Sequence, residues 1–519
     1  MISDRERYAL ISVADKSGIE DFVRGLAIKG IKIISTGGTA KYLIDNGIEC
    51  HRVEDITGFA DLFDGRVKTL HPKIFGGILA DRTKDEHLRT ALDNDIPIID
   101  IVAVNLYPFE ETVNREEVSE EEAIENIDIG GVALIRAAAK NFRSVYVVTD
   151  SESYQKVLDD INNASESVKF RAELAEKAFR HTAYYDSLIS SYFSFRHDVD
   201  EKAPSKIISG YSKVSDLRYG ENPHQKAALY RNPYFNGVSL ARTVVHSGKE
   251  LSFNNIYDLD SVLGMLLDFD EPFACVVKHT NPCGAAVSDN LAQAYADALA
   301  GDEVSAFGGI VGVNRVVDME TAEKIHKTFF LECIIAPGYE DEALALLKKK
   351  KNRRVVSCGD LKTYLQETCW EPRYIMGGML LQSKDRFKEG GFEFETVTEV
   401  KPDEGQLRDL SFAMKIVKHI KSNAIVICNG TKTVGVGAGQ TSRVDSAMIA
   451  VRKAGDKADG AVAASDAFFP MPDGLETLAR AGVSAVVQPG GSKKDPDVIE
   501  AANQMGIAMV FTGERHFKH

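Results

Sequence analysis

The sequence predicts an α/β protein of more than one domain that begins with a doubly wound parallel sheet. Three observations carry this. A length of 519 residues exceeds what one hydrophobic core sustains. Short β-branched runs alternate with amphipathic stretches over roughly the first 150 residues, the pattern of parallel strands with crossover helices. The composition, 44% hydrophobic and 27% charged, is that of an ordinary globular chain without low-complexity tracts.

The first strands are expected at Tyr8 to Val13, Ile31 to Ile34, Ile98 to Leu106 and Val145 to Val148. Lys16 to Leu26 has helical spacing, and the helix after Ser35 stops at Asn46-Gly47, a pair suited to a left-handed cap. Ligands of such sheets gather at the carboxyl ends of strands, which directs attention to the loops after Val13, Ile34 and Leu106. Phe170 to His197 reads as a helix whose aromatic residues (Phe179, Tyr184, Tyr185, Tyr192, Phe193, Phe195) serve helix packing or a subunit contact. A polar stretch with Pro204 and Gly210 marks a boundary between domains at 1–198 and 205–519. The larger half holds at least two α/β units, one from Phe273 to Tyr339 and one from Ala424 onward. The second opens with a hairpin over Ile425 to Val436, turned at Asn429-Gly430. The residues alone leave a duplication within this half open.

A net charge of -15 argues against nucleic acid or an anionic membrane as partner, so any anionic ligand must meet locally concentrated positive groups. The opening residues carry Asp4, Arg5, Glu6 and Arg7 in place of an apolar leader, and no apolar run approaches the ~18 residues of a membrane span; a cytoplasmic location is expected. The cysteines Cys50, Cys275, Cys283, Cys333, Cys358, Cys369 and Cys428 include no Cys-x-x-Cys pair, so reduced thiols are expected, with no disulfide framework or zinc ribbon.

Ser35-Thr36-Gly37-Gly38-Thr39 joins the second strand to a helix. Glycines at such a turn let backbone amides approach an anion held by the helix N-terminus, although a plain tight turn reads the same way. Ser12 and Lys16 occupy the equivalent loop after the first strand, and two converging loops favour a phosphomonoester site. Next come Gly65-Arg66-Val67-Lys68-Thr69-Leu70-His71-Pro72-Lys73, basic residues with a rigid His-Pro step, then Asn105-Leu106-Tyr107-Pro108-Phe109, then Ile127-Asp128-Ile129-Gly130-Gly131, and Lys140 in Arg136 to Asn141. The basic run can equally be a solvated face, and Asp128 a helix cap.

In this order the segments resemble the inosine monophosphate (IMP) cyclohydrolase domain of the bifunctional purine biosynthesis family, whose fold is similar to that of methylglyoxal synthase. The resemblance implies that Ser12, Lys16, Thr36, Gly37, Gly38, Thr39, Arg66, Thr69 and Gly130 hold a nucleotide. It also implies that Lys68, Asn105, Tyr107, Asp128 and Lys140 surround the reacting atoms. In the reaction so implied, a carboxamide nitrogen attacks a formyl carbonyl of the same molecule and water leaves, so folding the substrate is most of the task. Asp128 is then the candidate base or proton shuttle, with Lys68, Lys140 and Tyr107 stabilising charge and supplying protons.

The larger half contributes Leu217-Arg218-Tyr219-Gly220-Glu221-Asn222-Pro223-His224-Gln225, Ser247 to Asn255, and Val277-Lys278-His279-Thr280-Asn281-Pro282-Cys283-Gly284. A lone His at a strand end is usually structural. A Lys-His pair leaving a buried strand into an Asn-Pro-Cys-Gly turn projects both side chains to one place. Catalytic zinc of the deaminase kind is rejected: Ala286 stands where Pro-Cys-x-x-Cys needs its second Cys, and no His-x-Glu is present. Gly435-Val436-Gly437-Ala438-Gly439 lacks the context of a dinucleotide loop, and no Gly-Lys-Ser/Thr phosphate loop occurs.

With Ser305 to Gly309, Ile335 to Tyr339, Gly437 to Arg443 and Ser465 to Pro470, these segments resemble the formyltransferase domain of the same family, so the likeness spans nearly the whole chain. It implies two cytidine-deaminase-like subdomains without the metal, a homodimer with sites at the subunit interface, and 10-formyltetrahydrofolate as co-substrate. The other small molecules implied are aminoimidazole carboxamide ribonucleotide (AICAR) and its formylated product (FAICAR). Lys278, His279 and Asn423 are implied as catalytic, Arg218, Tyr219, Asn255 and Arg443 as ribonucleotide ligands, and Phe468 as lying near the folate. Met471-Pro472 replaces the Phe and basic residue of many relatives, which sets the folate contacts of that loop apart. Two other readings are a non-catalytic nucleotide sensor, which would need neither the Lys68, Tyr107, Asp128 and Lys140 set nor a Lys-His pair, and an enzyme retaining one of the two reactions.

Overall fold

The computed structural model describes residues 5–60, 62–63, 66–115, 117–162, 167–196, 203–233, 235, 237–363, 370–388 and 390–519. Gly65, His197 and Cys369, on which sequence expectations fell, lie outside these. The chain separates into two units, one running to Tyr211 and one beginning at Ser212, with Asn232 and Pro233 grouped with the first.

In the first unit, the apolar runs become four of five parallel strands: β1 (Arg7–Ser12), β2 (Ile31–Ser35), β4 (Ile99–Val104) and β5 (Tyr146–Val148), with β3 (His51–Arg52) the fifth. The spatial order is β3-β2-β1-β4-β5, so the winding reverses between β1 and β4. That reversal opens a crevice at the carboxyl ends of these two strands. β3 has two exposed residues and no periodicity to announce it. β4 is buried along its whole length, as a strand covered on both faces must be.

Ile19–Ile28 forms the first helix behind a left-handed Gly18, later than its polar lead suggested, and Gly37–Asp45 the second, followed by Gly47 at φ 71°. The aromatic helix is Val168–Arg196; Tyr185 and Tyr192 are buried and pack edge-on against Phe109 at 6.1 and 5.7 Å, which is helix packing. Tyr185 also reaches the loop before Gly130, accepting the Asp128 N–H at 2.9 Å and donating to the Asn126 carbonyl at 3.1 Å.

The second unit contains two six-stranded sheets of identical plan. In the first, Phe273–Lys278 pairs antiparallel with both Asn281–Val287 and Ile310–Val313; Cys333–Ala336 and Arg354–Ser357 continue in parallel, and Val244–Ser247 closes the edge antiparallel. In the second, Ile425–Cys428 pairs antiparallel with Thr433–Gly437 and Val462–Ser465; Ala485–Gln488 and Ala508–Phe511 continue in parallel, and Glu395–Thr396 closes the edge. The duplication is therefore real, and particular residues repeat with it. Asn314 caps the start of the first hairpin, its side chain accepting the Phe273 N–H at 2.8 Å; Asp466 accepts the Ala424 N–H at 3.0 Å in the second. One apolar cluster, including Leu259, Phe273, Met414, Val426 and Val487, is shared by elements of both sheets.

Candidate active sites

At the crevice of the first unit, contacts join most of the expected residues into one chain. Ser12 Oγ and Thr36 Oγ1 lie 3.0 Å apart, linking the loops after β1 and β2. Gly37 has φ 38°, and a Cβ there would come within 3.2 Å of Lys68 Nζ, so the glycine makes room for the ammonium at the helix N-terminus. Thr69 is buried, its hydroxyl 3.1 Å from where a Cβ on Gly130 would stand. A Cβ on Gly131 would come within 2.6 Å of Asp128 Oδ2 and 2.9 Å of Leu106, so only glycine lets this helix start against the carboxylate.

Asp128 Oδ1 accepts the Gly131 N–H at 2.7 Å, the contact of a helix cap, and the carboxylate also accepts the Tyr107 backbone N–H. Burial raises the Asp128 pKa above the usual carboxylate value, outweighing these two bonds, which pull it down. Capping and proton transfer are thus compatible in one residue. Tyr107 is 54% exposed, so its ring is free to meet a ligand. Gly38 faces open space. His71 accepts the Lys73 N–H at 3.1 Å and Pro72 opens the helix Pro72–Leu79, which fixes the basic loop as its His-Pro step predicts.

Other expected residues are engaged elsewhere. Thr39 is buried and exchanges both hydrogen bonds with the Val13 backbone, at 3.2 and 2.9 Å. Asn105 accepts the Ala14 N–H at 2.5 Å and donates to the Asp15 carbonyl at 2.9 Å, tying the β1 and β4 loops together. Lys16 donates to the Ala14 carbonyl at 3.3 Å and borders an open hollow of about 530 Å³ shared with Asp15, Glu20 and Asp21, carboxylates that repel a phosphate. Arg66 pairs with Glu125 on the surface. Lys140 ends the helix Gly130–Lys140, about 15 Å along its axis from Gly130, so one chain does not bring it to Asp128.

In the second unit the Lys-His pair sits on a tighter feature than the sequence suggested. The turn is His279-Thr280 itself, both at positive φ (53° and 63°), and Asn281-Pro282-Cys283-Gly284 is the start of the returning strand. Pro282 is tolerated there because the strand is an outer one and its register shifts between Pro282 and Gly284. Two-residue turns of this hand normally use Asn-Gly; His and Thr each cost about 1–2 kcal/mol in that conformation. Asp258, which the sequence gave no reason to single out, holds the turn: its carboxylate accepts the Thr280 N–H at 2.7 Å and the His279 N–H.

Lys278 donates to the Phe307 carbonyl at 2.9 Å. Lys278 and His279 face a cavity of about 380 Å³ whose walls include Asn281, Ser305, Gln440 and Lys453. Asn423 acts on the wall: its amide donates to the Gln440 and Thr441 carbonyls at 2.9 and 3.2 Å, and its oxygen accepts from Arg443 at 2.7 Å. Arg443, expected to bind nucleotide, is buried, and donates to Ser465 at 2.8 Å, to the Ala424 carbonyl at 3.2 Å and to Asp466. Asn255, expected in the same role, is buried in a reciprocal capping box with Ser252 at 3.1 and 3.2 Å. Phe468 is half-buried beside the fully buried Phe469. Arg218 stacks over Tyr219 at 4.6 Å beside the hairpin Ser212–Leu217 and Ala227–Arg231. Among the described residues, no group of three or more His, Cys, Asp or Glu side chains is placed to hold a metal, and no helix is long and apolar enough to cross a membrane.

Comparison with known proteins adds two family matches: the AICARFT/IMPCHase bienzyme family over residues 138–453 and the MGS-like domain over residues 18–133. The bifunctional purine biosynthesis protein PurH of Oceanobacillus iheyensis is 47% identical over 98% of this chain and 99% of its own. That of a Thermoanaerobacter species is 48% identical over the same shares. The crystal structure of ForH covers 36% of this chain and all of its own, at 36% identity and a TM-score of 0.33.

Proposed function

Because this chain belongs to the AICARFT/IMPCHase bienzyme family, and so carries the formyltransferase and cyclohydrolase of the last two steps of purine biosynthesis, we propose that its two units divide those steps between them. The first unit closes FAICAR to IMP, and the second transfers the formyl group of 10-formyltetrahydrofolate to AICAR. The observation that carries the division is the left-handed His279-Thr280 turn, which presents an imidazole and an ammonium to one cavity.

In formyl transfer, His279 takes the proton of the attacking amine as the new C–N bond forms. Lys278 stabilises the oxygen of the tetrahedral intermediate, and protonation of the departing folate nitrogen completes the exchange. Asn423 acts through the Gln440 and Thr441 wall that it holds. In ring closure, Lys68 and the Gly37 helix N-terminus hold the folded substrate, Asp128 moves the amide proton and Tyr107 donates toward the leaving water.

A homodimer accounts for Lys140, which one chain leaves apart from Asp128. An exposed apolar hairpin, Trp370–Ile375 with Gly378–Ser383, supports such an assembly; on it Tyr374 is 85% exposed and Met376 fully so.

Purified protein given AICAR and 10-formyltetrahydrofolate is expected to yield IMP, with FAICAR passing only transiently; FAICAR as the end product would overturn the cyclohydrolase assignment. Asp258→Ala is expected to lower kcat for formyl transfer by about ten- to a hundredfold, the scale of one misplaced catalytic group. Adding Thr280→Gly should restore most of that loss, because glycine takes the left-handed conformation without help. A double variant as slow as Asp258→Ala would show that the carboxylate does something other than hold the turn.

A further inference from the structure

The wall of the Lys278 and His279 cavity holds a second ion pair, and that pair reaches Lys278 through the backbone. Lys453, near the end of the helix Arg443–Ala454 of the second repeat, stands 2.9 Å from Asp302 Oδ2 of the first. Asp302 caps the single turn Glu303–Ala306: its carboxylate accepts the Ser305 N–H at 2.9 Å and the Ser305 hydroxyl at 2.7 Å. The next residue is Phe307, whose carbonyl accepts from the Lys278 ammonium at 2.9 Å. Lys453 and Ser305 both line the cavity that Lys278 and His279 face. An ammonium has three donors, and the one given to Phe307 aims the other two.

A four-residue helix makes too few internal hydrogen bonds to hold itself. Of its residues Ala306 alone is buried, and Val304 is 89% exposed, so no broad apolar face fixes it either. Its position depends on its ends. Downstream, Gly308 donates to the Phe330 carbonyl at 2.9 Å; upstream, Asp302 is the fastening, and Lys453 ties Asp302 to the second repeat. Burial raises the Asp302 pKa, but the two Ser305 bonds and Lys453 outweigh it and hold the carboxyl below its ordinary value, so the pair stays charged. Cys283 marks the place where this pair and the Lys-His turn meet. Burial pushes its thiol up to about 11, Asp302 and Asp258 add to the rise, and Lys453 and Lys278 oppose it.

Joining the two repeats is a role that other lysines of the second repeat already fill. Lys457 donates to the Ala300 carbonyl at 3.1 Å, and Lys432 stands 3.6 Å from Asp297. Both fasten the end of the helix Leu291–Leu299 rather than the turn before Phe307. Lys453 differs from them in facing the cavity and in pairing with the one carboxylate that caps that turn.

We propose that Asp302 and Lys453 are positioning residues for formyl transfer: the pair fixes the Glu303–Ala306 turn so that the Phe307 carbonyl holds the Lys278 ammonium toward the reacting carbonyl. This rests on the reading that Lys278 stabilises the tetrahedral oxygen in that cavity. The test measures kcat and KM for AICAR and 10-formyltetrahydrofolate with the whole chain. Lys453→Met and Asp302→Asn are each expected to lower kcat about ten- to a hundredfold, the scale of a displaced catalytic group, while both KM values stay within about twofold of wild type and so report an intact fold. Lys453→Arg, which can still reach the carboxylate, should keep kcat near wild type. Lys432→Gln, which loses a contact between the repeats and nothing at the turn, should leave kcat unchanged. In a Lys278→Ala background Asp302→Asn should cost nothing further, because its effect passes through the ammonium. Wild-type kcat in both single variants, or an undiminished loss in the Lys278→Ala background, overturns the positioning role. A KM for AICAR raised by Lys453→Met but not by Asp302→Asn also overturns it, making the lysine a ligand of the substrate. Wild-type formyl transfer by Lys278→Ala itself would instead overturn the reading of the cavity.

Discussion

His279→Ala is expected to lose formyl transfer by about 10²- to 10⁴-fold, the usual worth of a positioned general base, while still closing added FAICAR to IMP at the wild-type rate. The size of the loss follows from the nucleophile. The ring amine of AICAR shares its lone pair with the carboxamide, so attack on the formyl carbon needs proton removal as the bond forms. In the proposed role His279 is held by a turn that its own residue type disfavours, with Asp258 fixing the backbone behind it and Lys278 anchored to the Phe307 carbonyl beside it. Conformational cost kept at two adjacent non-glycine residues is a mark of a site whose geometry matters more than its local stability. Separate assays of the two half-reactions check the prediction. Loss of both steps in a protein that keeps its fold would end the assignment of one reaction to each unit.

The parts of this arrangement legible in the sequence were those carried by local signals. Hydrophobic alternation located β1, β2 and β4, and the Asn-Gly pair marked the second hairpin, where Gly430 takes φ 62°. The His279-Thr280 turn had no such signal, because neither residue is one that the left-handed region attracts. Repetition in the second unit, which the residues alone leave open, is hard to read from them for a related reason. What repeats is strand order and the capping position of Asn314 and Asp466, and an amide in one copy is a carboxylate in the other. The engagement of Asn255 within the fold has a local cue: Ser252 stands three residues before it, the spacing of a capping box. Arg443 could not be told from a surface ligand without knowing that Asp466 lies buried opposite it. A buried carboxylate left alone there would be costly, so the arginine is bound to the fold before any substrate arrives. Lys140 was legible in principle, since an uninterrupted helical pattern from Gly130 carries it to the opposite end from Asp128.

At the other crevice, Lys68→Ala is expected to leave formyl transfer intact and to make FAICAR accumulate when both substrates are supplied. Its ammonium occupies the space that the missing side chain of Gly37 provides, at the N-terminus of a helix, so removing it takes a positive charge from the place proposed to hold the folded substrate. Asp128→Asn should slow cyclisation of added FAICAR by about 10²- to 10⁴-fold through loss of the proton carrier. The asparagine can still accept the Gly131 N–H, so the helix start survives and the loss is chemical rather than structural. Burial sets the pH dependence. It raises the Asp128 pKa, favouring the protonated form, so the basic carboxylate is lost as pH falls through a value above the ordinary carboxylate range. The acid limb of the wild-type cyclisation profile should therefore lie above the ~3.9 of an unperturbed aspartate and be absent from the residual activity of Asp128→Asn. An acid limb unchanged in that variant would assign the titration to another group and remove Asp128 as the base, while the contacts of Lys68 with the glycine loop would stand.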